Sequence, residues 1–187
     1  MSGKLQQKNI SDSFNLIADK RLELALLIGA GALAIVLHKV LRWPLDMPGR
    51  HGLEFMAIFA FLRLASQQKW AATIASIGAM TALTLFSANP IGIIILLAQG
   101  VLLDLLYNHL SWQGRIVILV PFFTAIAHML KPLLKALAQT NLGVFSDSLS
   151  MGLVTPLLSH GLFGFVGGVF GLLAWKTYQR TRSHFKA

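Results

Sequence analysis

Residues 43–54 read WPLDMPGRHGLE and join two long apolar segments. A connection between membrane helices needs only a turn. This one adds carboxylates, an arginine and a histidine to its prolines and glycine, so it carries more chemistry than a turn requires. Trp43 offers a ring for stacking, Arg50 a fork for an acidic group, and His51 and Glu54 an imidazole beside a carboxylate. A second set lies in a later apolar stretch. Lys131 and Lys135 fall one turn apart on one helix face, and His128 sits within a turn of Lys131. Asn89, Phe145, Asp147 and His160 complete the polar and aromatic groups that a simple up-and-down topology brings to the same level. Lys131, Lys135 and Arg50 favour a ligand with a carboxylate or phosphate, and Trp43 and Phe145 suit a ring. A third pair, Arg63 and Asp104, lies inside apolar segments, each about 12 residues from its start and so roughly 18 Å down. Charges at that depth are costly alone, so a structural ion pair between them is expected.

Other chemistries fit less well. His51, His128 and His160 with Glu54 make a reasonable imidazole and carboxylate shell, but no HxxxH or HExxH spacing supports a metal site, and none is expected. Ser159-His160 is a dipeptide, not a triad, and no GxSxG or paired-acid motif occurs, so no enzyme activity and no cofactor are expected. With no cysteine, disulfides, thiolate metal sites and a cysteine nucleophile are excluded. A channel would show a polar stripe along its pore, and the inner halves of these segments are too apolar for that.

The elements that position these residues follow from composition. The chain has 187 residues, of which 55% are hydrophobic and 12% charged. A bilayer crossing needs roughly 20 apolar residues. The reading is an all-α integral membrane bundle of six transmembrane helices, at about 22–41, 53–65, 70–86, 91–107, 115–138 and 153–178. Residues 1–21 form a polar leader, either a surface-lying amphipathic helix or a frayed tail, 22–180 the bundle and 181–187 a basic tail. No cleavable signal peptide is evident. Pro132 is expected to kink or loosen the far end of the fifth span.

The net charge of +9 would suggest nucleic acid in a soluble protein. Here the basic residues gather at the termini and flank apolar segments, so no nucleic-acid partner is expected. With both termini inside, eleven of the 16 Lys and Arg fall on the cytoplasmic side and five outside. That asymmetry supports N-in and C-in in a bacterial cytoplasmic membrane. The longer outer connections are then 43–54 and 139–152, with the SANP turn at 87–90 between them.

Several segments resemble the substrate-binding S components of energy-coupling factor transporters. These are the small-xxx-small pair Ala30 and Ala34, QGVLLDLLY at 99–107, which looks like the fourth helix of that family, and the closing GLFGFVGGVFGLL at 161–173, similar to its sixth. The likeness spans about 22–180. It implies a vitamin or related micronutrient bound near the outer face, under the loops after spans 1, 3 and 5. It also implies that Ala30 and Ala34 dock a membrane coupling subunit driven by cytoplasmic ATPases, although small residues at that spacing serve close packing within the chain equally well. No GxxxxGK[ST] loop occurs in the chain, so ATP-driven work would come from partners. The leader MSGKLQQK lacks the early histidine of the cobalt and nickel branch, and the absence of cysteine departs from a cobalamin branch that uses one. A tetrapyrrole or metal chelate is a narrower variant suggested by the three outer histidines. The alternative, from another class, is a structural or assembly subunit of a larger membrane complex, held by the small-residue faces of spans 1 and 6.

Overall fold

A computed structural model describes residues 2–40, 47–86, 90–110, 116–142 and 152–184. The described residues are helical, without strands, and form six α-helices. These are α1 (Ser2–Val40), α2 (Gly52–Ala65), α3 (Ala71–Phe86), α4 (Pro90–Leu110), α5 (Val120–Leu142) and α6 (Val154–His184), with a 3-10 turn over Ile116–Leu119 ahead of α5. Four stretches are long and apolar enough to cross a membrane: Asp19–Val40, Pro90–His109, Val117–Asn141 and Val154–Thr181. With 14 and 16 residues, α2 and α3 are shorter. At about 1.5 Å per residue they reach roughly 21 and 24 Å, less than the roughly 30 Å hydrocarbon core. The leader and the first span are one continuous helix. Pro121 is the second residue of α5, where the missing N–H costs nothing. Helix α5 continues through the buried Pro132 rather than ending there.

The helices close a ring: α1 packs on α3, α3 on α4, α4 on α5, α5 on α6, α6 on α2 and α2 on α1. In a bilayer, lipid tails are as apolar as leucine, so close packing of small residues drives helix contact. The sequence supplies them. Ala71, Ala72, Ala75, Ala79 and Ala82 are all buried along α3. Gly31 of α1 lies on the backbone of Ala75, and Gly78 of α3 lies on that of Ile28, with no room for a Cβ at either. The glycines of α6 serve two neighbours. Gly164 and Gly168 press on Thr124 of α5, while Gly167 and Gly171 press on the backbone of α2 at Gly52 and Ala57.

The small-residue face of α1 is therefore filled by α3 of the same chain. Ala34 is fully buried in the core beside Ile35 and Phe59, which leaves it no surface to offer a coupling partner; Ala30 keeps partial exposure.

Candidate functional site

The ring encloses a cavity of about 240 Å³ at the end where α1, α3 and α5 finish and α2 and α4 begin. Its apolar wall comes from Ile35, Phe55, Leu83, Ile91, Ile95 and Leu96, with Gly92. Its polar groups are His38 and Lys39 from the end of α1, His51 from the turn before α2, Gln99 from α4, and His128, Lys131 and Lys135 from α5. No carboxylate lines it among the described residues.

His128 organises the floor. It is 2% exposed, and its Nε2 lies 3.2 Å from the Gly49 carbonyl. A carbonyl only accepts, so Nε2 carries the ring proton. Nδ1 is then an acceptor, and the Gln99 Nε2–H donates to it at 3.1 Å. The imidazole is a neutral tautomer bridging three elements: the 47–51 turn, α4 and α5. The turn fits because Gly49 adopts φ +86°, a left-handed conformation that a side chain rarely accepts, and because its Cα faces His160 with no space for a Cβ. The His160 Nδ1–H donates to the Pro156 carbonyl at 2.7 Å, and its ring lies 4.9 Å from that of His128. His38 meets His51 edge-on, with ring centroids 4.1 Å apart, and its Nδ1 lies 3.7 Å from the Glu54 carboxylate. Burial, and then the positive charge of Lys131, push His51 down to about 3, so it is neutral at physiological pH.

Of the residues singled out in the sequence, His51, His128, Lys131 and Lys135 line the cavity. Glu54 and His160 stand behind it, against His38 and His128 respectively. Arg50 lies in the half-buried turn and is not part of the lining. Trp43, Asn89, Phe145 and Asp147 fall outside the described residues. Sequence reasoning passed over His38, Lys39, Phe55 and Gln99 as site residues. The first two are basic groups in the last turn of α1, at the same level as Lys131 and Lys135. Gln99 is a lone amide inside an apolar helix.

The Arg63 and Asp104 side chains meet at the opposite end, Nε to Oδ1, at 3.2 Å, with exposures of 7% and 0%. Asp104 also caps α3 from outside: it accepts from the Ala72 and Thr73 backbone N–H groups at 3.2 and 2.7 Å and from the Thr73 hydroxyl at 2.7 Å. Arg63 donates to the Gln68 carbonyl and to Asn108 Oδ1, and its guanidinium lies 4.0 Å over the Tyr107 ring. Glu23 of α1 accepts from the Ser66 hydroxyl, the Gln67 N–H and the Gln68 amide, so the 66–70 turn is tied to three helices. This is a fastening of paired charges and hydrogen bonds inside the chain rather than a cavity for a ligand.

Among the described residues no three His, Asp or Glu side chains group to hold a metal ion. No protein-family model, curated protein or solved structure matches the chain.

Proposed function

We propose that this chain is a membrane-embedded binding subunit for uptake of a vitamin or related micronutrient. One observation carries the reading: a closed ring of helices leaves a chamber at one end, apolar in its wall and polar in a few placed groups. Ligand sites of small molecules have this composition, and they favour the space between packed helices. Simple structural subunits have no need of a buried His–Gln–carbonyl bridge facing such a chamber.

In this reading all six helices cross a bacterial cytoplasmic membrane, with α2 and α3 spanning a locally thinner region among the four longer ones. Both termini are cytoplasmic, following the excess of Lys and Arg at that end, and the chamber faces outward. A coupling subunit with cytoplasmic ATPases would supply energy, as in the transporters that the sequence resembles. The absence of native cysteine makes the orientation directly readable. In intact cells, Met47→Cys reacts with an impermeant maleimide and Lys69→Cys does not; the reverse pattern overturns the orientation.

Occupancy is read by native mass spectrometry of protein released from mild detergent. The wild type carries a defined small-molecule mass, and Leu83→Trp, which fills the chamber from its wall, flies without it. An adduct that persists in Leu83→Trp places the ligand elsewhere, and a bare wild-type mass contradicts tight binding.

A further inference from the structure

We infer that the chamber floor senses the direction of the hydrogen bond a ligand makes there. An N–H or O–H donor resting on the Gln99 side-chain oxygen keeps the 47–51 turn docked on the bundle, and an acceptor in its place releases the turn. The ligand half of this inference deepens the binding reading above and rests on it. The coupling of Gln99 to the turn stands with or without a ligand.

Three elements are joined in series. The Gln99 amide nitrogen, on α4, donates to His128 Nδ1 at 3.1 Å and reaches the His128 carbonyl oxygen at 3.5 Å. His128, on α5, donates from Nε2 to the Gly49 carbonyl of the turn at 3.2 Å. A neutral imidazole carries one proton on its two nitrogens. With the proton on Nε2, Nδ1 accepts, and only the nitrogen end of the amide suits it. Reversing the amide sets its oxygen against Nδ1 and against the His128 carbonyl, acceptor to acceptor. The ring proton must then move to Nδ1, and Nε2 turns a lone pair toward the Gly49 carbonyl. Two acceptors at that distance repel, so the tie between the turn and α5 is lost. The Gly49 carbonyl also accepts from the Gly52 N–H at 2.8 Å, so α2 keeps its start and the turn gives way only where it docks.

The ring has no room to escape this conflict by swinging aside. Gly52 lies against its Cδ2–Nε2 edge and Gly164 against its Cβ, with no space for a Cβ at either glycine. The proton is the part free to change place.

The chamber meets this series at the amide. Gln99 borders the chamber, and its nitrogen is committed to His128, so its oxygen is the end left for a ligand. That oxygen only accepts, and a donor placed on it holds the amide as it stands. A ligand acceptor needs the amide nitrogen instead, and obtains it only by reversing the amide. The wall beside Gln99 is apolar, with Phe55, Ile95 and Leu96, where a hydrogen bond is stronger and a mismatched one more costly than in water. The ligand that closes this site is therefore one with a hydroxyl or N–H at the floor.

The test uses the full-length protein in lipid nanodiscs. Trypsin cleavage after Arg50, measured relative to a model peptide, reports docking of the turn. Gln99→Met removes the amide and speeds cleavage roughly fivefold, the ratio that one net hydrogen bond corresponds to, although its link to the turn runs through His128. A wild-type rate in Gln99→Met overturns the coupling. If that variant fails to fold, 15N NMR of the wild type decides. The His128 signal, identified by its loss in His128→Gln, shows the proton on Nε2; a proton on Nδ1 overturns the inference. Two small probes of opposite sense test the ligand half. Pyrrole, which donates from its N–H, slows cleavage, and pyridine, which only accepts, speeds it and moves the His128 proton to Nδ1. Equal rates with the two, changed or unchanged, overturn the ligand half. A bare wild-type mass in the occupancy experiment counts against the binding reading alone, because the Gln99→Met result needs no ligand.

Discussion

Asp104→Ala lowers the stability of the protein by about 3–5 kcal/mol, because it leaves the buried Arg63 guanidinium without its counter-charge. The loss is compound. Asp104 is fully buried and accepts three hydrogen bonds at the start of α3, so alanine also leaves the Ala72 and Thr73 N–H groups uncapped. Asp104→Asn keeps an acceptor for the cap but not the charge, and costs less. Arg63→Ala loses the same ion pair together with the bonds to Gln68 and Asn108 and the contact with Tyr107. The double variant costs less than the sum of the two single ones, since neither partner then stands alone. Equilibrium unfolding in detergent with increasing SDS measures all four. A single-variant cost within about 0.5 kcal/mol of zero, the usual range for surface substitutions, contradicts a buried and mutually dependent pair.

The second large effect concerns His128. His128→Ala removes the donor to the Gly49 carbonyl and the acceptor of the Gln99 amide, both at the chamber floor. Each orphaned buried group costs about 1–3 kcal/mol. The cost falls mainly on the 47–51 turn, which His128 holds to the bundle. Trypsin cleavage after Arg50 is therefore expected to accelerate about tenfold or more in the purified protein, as the turn opens more often. His128→Gln, whose amide gives to Gly49 and accepts from Gln99, keeps most of the protection. Equal cleavage rates in the wild type and His128→Ala would mean that the turn is held by other contacts.

Much of this architecture was legible in the sequence, and the limits have a physical cause. The turns announce themselves: Pro48-Gly49 before α2, and the polar SQQK stretch at 66–69 between α2 and α3. Equal depths in two segments that run the same way were enough to bring Arg63 beside Asp104. Depth gives no sign of the third participant, the N-terminus of α3, because backbone N–H groups leave no mark in a sequence. The faces of α1 and α4 were harder still. In a soluble helix an apolar stripe marks the buried side. In these helices lipid-facing and inward-facing positions are both apolar, so nothing distinguished the inward direction of His38 or Gln99 from an outward one. The same ambiguity left Ala34 open, since its small side chain suits a partner subunit and a neighbouring helix equally. Here the neighbour, α3, is present in the same chain and takes the position.

The measurement that bears most directly on a ligand-binding role is an experimental structure of the protein extracted with its bound small molecules. The expected result is non-protein density filling the chamber from the level of Lys135 down to Gln99. A chamber closed by its own side chains, or holding only a lipid tail, in a protein that still carries the His128–Gly49 and His128–Gln99 bonds, would contradict it.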